Sequence, residues 1–450
     1  MGSVCAADFF CEQMSLNSRC LKTYPEDLLT DDAVFASHYV VGSIEERSQG
    51  IFRAFEQSIE LAYREANTAR KINGKEIGVV FCDVSSGDDG LSEKDAVVDT
   101  GQYLVDLGVV AIIGPAKSST VTELYQAING DNDGKEPADI LMITPSATAD
   151  NLSNLDNANP SDTNPGNLWR TTPPDTTQAE AIAIDMRSVE HGRTAVVDKV
   201  AIIYEQGGYG NGLADKFTEF FTQKAGQVSK SQAFMSGSQQ RDPLITAIAA
   251  DPNIQEVLFI SSNTKDTVAF LTLAADLAGF ANKGIFLTDA ADTSDVLAKA
   301  STTRFSNVRG SRPAPTGGVL YSKFLSSYQI QFPGEDAADF AFTANAYDAA
   351  WLVAYAIAWA VHNPVKTKAM FSGTSLARGL RQISTVNAPP VAVGISDFGT
   401  AISRFKSGLP IDVSGASGRL DYNAFEETSG PVEIWKIDDT SSVGIWQVDL

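Results

Sequence analysis

Ser118, Ser119 and Thr120 stand side by side at the end of "VVAIIGPAKSST", directly after an apolar run and a Gly-Pro break. A second hydroxyl set, Thr144, Ser146 and Thr148, occupies the same place after the apolar run of "LMITPSATADNL". If both runs are strands of a parallel sheet, both sets lie at carboxyl ends, where α/β proteins bind ligands. The helix that follows such a strand offers unpaired N–H groups and a partial positive charge. Ser and Thr add donors there without adding charge, so the chemistry is that of holding an anion. Capping explains about one hydroxyl per helix, and three per junction exceed it. Ser118 is therefore expected to touch ligand, with Ser119 and Thr120 capping and starting the helix behind it. Lys117 beside them either charges the rim or faces solvent.

Other chemistries lack their residues. His38, His191 and His362 are far apart, with no acidic or Cys partner at metal spacing, so no metal is expected. There is no HExxH, GxSxG or GxxxxGK[ST], and nothing argues for catalysis or a cofactor. "GGYGNG" (207–212) follows a strand but fails the G-x-G-x-x-G spacing. It reads as a loop presenting Tyr209 rather than a dinucleotide site.

The elements that position these residues alternate regularly. "HYVVGSI", "EIGVVF", 109–113 and "DILMIT" read as strands, separated by amphipathic helices such as "GIFRAFEQSIELAYREAN" and 120–128. Short continuous apolar strands imply a parallel sheet covered on both faces. A Pro/Asn/Asp-rich stretch, 156–175, interrupts the series, and the alternation restarts with helices over 178–189, 211–225 and 265–278. A second break at 309–318 precedes long helices that return to a lobe already built. In 349–361, Trp351, Tyr355 and Trp359 share one stripe and read as core. At 13 residues that segment is too short to span a bilayer. "VEIWKID" and "VGIWQV" read as a terminal hairpin.

At 450 residues the chain accommodates two good-sized domains. Its net charge of -22 argues against nucleic acid and anionic membranes as partners. Cys5, Cys11 and Cys20 cluster near the start and Cys82 ends a strand. An even count suits disulfides in an exported protein, stapling the N-terminal segment to the body near Cys82. Residues 1–7 lack the charged and apolar regions of an intact secretory signal.

"INGKEIGVVFCD", "IIGPAKSST", "LMITPSATADNL", "LWRTTPPDTTQAEAIA", "VAIIYEQGGYGNGLADKF" and "YDAAWLVAYAIAWA" resemble, in order, the landmarks of the type I periplasmic binding proteins. The nearest branch is the leucine/isoleucine/valine-binding one that serves ABC importers. The resemblance implies two doubly wound α/β lobes joined by three crossovers, with a ligand cleft between them. Lobe 1 takes 37–172 plus 315–427, lobe 2 takes 173–314 plus 428–450, and 1–36 is a Cys-bearing segment.

Carried over residue by residue, a ligand carboxylate meets Ser118 and its neighbour Ser119, then Ser146, Ala147 and Thr148. The early aromatic falls near Ile51 and Phe52, and Tyr209 covers the ligand. The chain leaves the family pattern where the second-lobe aromatic falls on Asn263 or Thr264. It leaves it again where the ammonium-binding acid falls on Ala290, with Asp289 adjacent. The implied partners are an amino acid or related carboxylate and the membrane permease of an ABC transporter, with the chain acting as a monomer. The implied location is periplasmic or at the cell surface, with or without a lipid anchor. A ligand-sensing module on the same fold is the alternative.

Overall fold

The computed structural model describes residues 17–448 apart from 49, 86–89, 131–135, 191, 292–293, 301–304, 306, 365–368, 386 and 439–440. Cys5, Cys11 and His191 lie outside the described residues.

Sheet one holds β1 (Lys22–Tyr24), β2 (His38–Glu45), β3 (Glu76–Asp83), β4 (Ala111–Ile113), β5 (Leu141–Thr144) and β6 (Leu168–Arg170). The spatial order is β1-β3-β2-β4-β5-β6. All pairs are parallel except β1 with β3. Period-2 alternation explains how it is buried on both faces. Tyr39, Val41, Val79, Phe81 and Ile113 enter one core, while Val40, Ile44, Val80 and Ile112 enter the other.

Sheet two holds β7 (Lys199–Glu205), β8 (Gln227–Phe234), β9 (Glu256–Ile260), β10 (Gly284–Leu287) and β11 (Val308–Pro313). A small pair, β12 (Pro390–Ala392) and β13 (Asp412–Ser414), stands apart, and β14 (Val432–Asp438) with β15 (Ser441–Val448) completes sheet two. Its order is β15-β14-β11-β10-β9-β7-β8, parallel but for β14, which is antiparallel to both neighbours. The terminal hairpin is therefore present, as an extension of the second sheet.

The chain passes between the lobes three times. After β6 it enters the helix Asp175–Met186, whose Ala179 and Ile182 pack with Val200 and Ile202 of β7. After β11 it returns, and Phe324, Tyr328, Trp351 and Tyr355 join the core of lobe 1. Trp351 and Tyr355 are fully buried and Trp359 packs against them, so the aromatic stripe is core. The last passage leads into β14. Hydrogen bonds lace the crossings to each other and to lobe 1: Thr171 Oγ1 to Asn345 O (2.9 Å), Ala314 N to Pro431 O (2.9 Å) and Thr316 N to Ser417 O (2.9 Å).

The polar residues before 37 carried no visible period, yet they add an edge strand, β1, and a short helix, Asp32–Ala36, capped by Asp31. A Cys20–Cys82 disulfide fastens them to the end of β3.

Candidate functional site

The two hydroxyl-bearing loops of lobe 1 are stitched together. β4 is followed by Gly114 (φ +91°), where a Cβ would come within 2.6 Å of Ile44 O and 2.8 Å of Glu45 Oε1. Only glycine makes that turn without strain. It delivers the chain to the helix Ser118–Ile128. Thr144 Oγ1 donates to Pro115 O (2.8 Å) and accepts from Ala147 N (3.2 Å). Ser146 Oγ donates to Ala116 O (3.0 Å), and Ser118 Oγ accepts from Ala149 N (3.2 Å).

The capping expectation for Ser119 and Thr120 does not hold. The N-cap is Lys117, which makes no side-chain cap bond. Thr120 Oγ1 donates to Lys117 O (2.9 Å) instead. The first-turn N–H groups therefore have no side-chain cap, and Ser118 and Ser119 of that turn line the cleft.

On lobe 2, β7 ends at Glu205, and Gly207 (φ +146°) turns the chain into the helix Gly208–Gln223. The expected loop around Tyr209 is thus the first turn of a helix. Tyr209 is buried, and its hydroxyl donates to Asp289 Oδ1 (2.6 Å) and lies 2.8 Å from Thr288 Oγ1. Gln178 Nε2 donates to the same Asp289 oxygen (3.0 Å). Burial raises the Asp289 carboxyl, and these two hydrogen bonds oppose the shift. The Tyr209 hydroxyl is held well above its usual range by burial and by the adjacent Asp289 charge. Glu205 accepts from Ser262 N (2.7 Å), Ser262 Oγ (2.9 Å) and Ser261 Oγ (3.1 Å).

Between the lobes lies a cavity of about 60 Å³. Lobe 1 lines it with Ile51, Phe52, Phe55, Lys117, Ser118, Ser119, Ser146, Thr148 and Phe342. Lobe 2 supplies Glu205, Gly207, Gly208, Tyr209, Ser262, Thr264, Asp289 and Ala290. Phe52 and Phe55 meet edge to face at 5.6 Å. Hydrogen bonds also join the lobes: Asp175 N donates to Thr148 O (2.8 Å) and Thr176 Oγ1 to Asp150 Oδ2 (2.6 Å).

Two residues expected at the ligand do not reach the cavity wall. Ala147 is buried behind it, held through its N–H by Thr144. Asn263 caps its own helix, accepting from Lys265 N (3.0 Å) while its amide donates to Ser236 Oγ (3.1 Å). Lys117 does line the cavity, but Glu46 (2.6 Å) and Glu93 (2.9 Å) already engage it. Burial works against its charge, and those two carboxylates more than restore it, leaving the pKa above that of an ordinary lysine. Sequence reasoning missed Glu205, Ser262, Phe55 and Phe342. The available signal for Glu205 was an acid at the carboxyl end of a parallel strand, one residue before two glycines.

Among the described residues no group of His, Cys, Asp or Glu is arranged to hold a metal ion, and no helix is long and apolar enough to cross a membrane.

Two doubly wound lobes closed on a shared cleft define a ligand-binding protein of the type I periplasmic-binding fold. The chain belongs to the family described as the receptor family ligand binding region, whose model matches residues 54–439. Among solved structures it is similar to the branched-chain amino acid transporter substrate-binding protein LivJ of Streptococcus pneumoniae in complex with isoleucine. That match has 19% identity and a TM-score of 0.67, covering 92% of this chain and 100% of that one. The leucine-binding protein LivK of Thermotoga maritima matches with 18% identity and a TM-score of 0.68, over 91% and 98%. A solute-binding protein of an ABC transporter from Rhodopseudomonas palustris BisB5, in complex with 3,4-dihydroxybenzoic acid, matches with 15% identity and a TM-score of 0.64, over 92% and 98%. No curated protein matches.

Proposed function

We propose that this chain is an extracytoplasmic solute-binding protein that closes its lobes on a small amino acid or related carboxylate and presents it to the permease of an ABC importer. One observation carries the ligand class: the cavity's polarity is divided between the lobes. Lobe 1 offers uncharged donors, Ser118, Ser119, Ser146 and Thr148, beside a helix N-terminus without a side-chain cap. Lobe 2 offers carboxylates, Asp289 and Glu205. A zwitterion lies across that division, its carboxylate against lobe 1 and its ammonium against Asp289. Asp289 thereby takes the place of the ammonium-binding acid that the family pattern puts one residue on. Tyr209 orients that acid, and Phe52 packs the ligand's apolar part.

The magnitudes agree. Micromolar affinity needs about −8 kcal/mol. Three or four charge-assisted hydrogen bonds at roughly 1.5–3 kcal/mol each reach it after the cost of closure. The solved structures with isoleucine and a hydroxybenzoate support a carboxylate ligand by likeness of fold. The Cys20–Cys82 disulfide supports an oxidising compartment.

Mass spectrometry of the small molecule released from the purified protein tests this reading, followed by thermal shifts with amino acids and benzoates. A released nucleotide or neutral sugar would overturn it. The family's description as a receptor ligand-binding region favours a second reading, a sensor on the same fold. Uptake assays with a candidate permease separate the two.

A further inference from the structure

The lining carries more negative charge than one ammonium needs. Its charged groups are Lys117, Glu205 and Asp289, and Lys117 is already spent on Glu46 and Glu93. Glu205 and Asp289 therefore face the cavity without a cation between them. Asp289 is enclosed by Tyr209 and Gln178. Among the described residues Glu205 accepts from Ser261 and Ser262, neutral groups that do not compensate its charge.

A second observation points the same way. Asp175 is completely buried, and neither of its carboxylate oxygens accepts a hydrogen bond among the described residues. The neighbouring Gln178 Oε1 is also unpartnered. Burial pushes the Asp175 carboxyl well up; the Thr148 hydroxyl and the Arg170 charge oppose this, and the Asp289 and Asp150 charges add to it. Thr148, Tyr209 and Asp289, three of the groups that interact with Asp175, line the cavity, while Asp150 and Arg170 act on it from outside the cavity wall. A buried carboxyl without donors costs several kcal/mol in its charged form unless a cation approaches. On the second-lobe wall, Glu205 and Asp289 form an acidic surface with no ion-pair partner among the described residues.

We infer that the ligand is a dibasic amino acid, its α-ammonium on Asp289 and its side-chain cation against Glu205. This rests on the amino-acid reading above and narrows it. The aromatic edge formed by Phe52 and Phe55 flanks the methylene stem, and cations are tolerated beside such rings.

The test uses the whole chain and pairs of probes that differ in one charge. L-lysine and L-norleucine have nearly the same shape, and isothermal titration gives the ratio of their affinities. The expected result is lysine at least tenfold tighter, with L-ornithine and L-arginine also ahead of norleucine. Glu205→Gln keeps an acceptor for Ser262 and removes the charge, so the lysine-to-norleucine ratio is expected to fall at least tenfold. The melting temperature of each protein without ligand checks folding. Should Glu205→Gln fail to fold, the wild-type ratio still decides. Norleucine binding as tightly as lysine overturns the dibasic assignment and leaves the amino-acid reading standing. If no amino acid binds while benzoate does, the amino-acid reading falls and this inference with it.

Discussion

Ser118 Oγ accepts a hydrogen bond from Ala149 N at 3.2 Å, joining the two loops that line the cavity from lobe 1. The hydroxyl is therefore both a donor available to ligand and the acceptor that sets the spacing of its own wall. Thr148, two residues from Ser146 in the second hydroxyl set, makes no such link to the first among the described residues.

Ser118→Ala and Thr148→Ala are consequently expected to differ. Both weaken ligand binding, by about 1.5–3 kcal/mol for a lost bond to a charged ligand. Ser118→Ala also leaves the buried Ala149 N–H without its acceptor, costing about 1–3 kcal/mol of stability. Thermal melts without ligand should show a lower Tm for Ser118→Ala than for Thr148→Ala. Equal ligand-induced shifts in both variants and the wild type would remove these residues from the site.

Asp289 gives binding a direction in pH. Its carboxyl is raised by burial, so below that raised value the empty cleft holds a proton there. A ligand ammonium needs the carboxylate. Displacing the proton costs up to tenfold in affinity per pH unit below the raised pKa. Affinity should rise with pH through that region and level off above it. Tyr209→Phe removes a donor that lowers the pKa and should move the whole profile to higher pH. Titration calorimetry from pH 4 to 8 reads this, and a flat wild-type profile would exclude Asp289 as the ammonium seat.

The disulfide should matter to lobe 1 alone. Cys20 and Cys82 are 62 residues apart in sequence, and a closed loop of that size is worth about 2–4 kcal/mol. Cys20→Ser with Cys82→Ser is expected to lower Tm while preserving the ligand-induced shift, since neither residue lines the cavity. Loss of ligand binding at temperatures where the variant remains folded would contradict that separation.

Much of this frame was legible in local pattern. β4 and β5 read as strands because continuous apolar runs between turn signals leave few other options. The stripe of Trp351, Tyr355 and Trp359 read as core for the same reason. The site was legible only in part. Ser118, Ser146, Thr148 and Tyr209 sit at strand ends whose place in the fold can be inferred. Glu205 acquires meaning only from Lys117 across the cleft being already paired, a relation between residues far apart in the chain. Asn263 was misplaced because a cap and a ligand contact call for the same side chain at the same kind of junction, and the local N–H of Lys265 won. Phe342 lies on the return passage, and no local period marks it as facing the cleft.

Arg170 supplies the last prediction. From the end of β6 its guanidinium binds Glu427 through two nitrogens and donates to Ala149 O (3.1 Å), Ala147 O (3.4 Å) and Ser153 Oγ (2.6 Å). Ala147 and Ala149 flank Thr148, while Glu427 lies at the start of the third passage between lobes. One buried cation therefore fixes the loop around Thr148 to the third passage between the lobes. Arg170→Met leaves the Glu427 carboxylate, itself only 12% exposed, without its partner, and should cost about 3–5 kcal/mol. Arg170→Lys restores the charge but not the planar fork that reaches carboxylate and carbonyls together. It should recover part of the stability while ligand affinity stays reduced. Glu427→Gln paired with Arg170→Met removes the orphaned charge and should recover stability without recovering affinity. If the double variant bound ligand as the wild type does, the loop would not depend on Arg170 for its position.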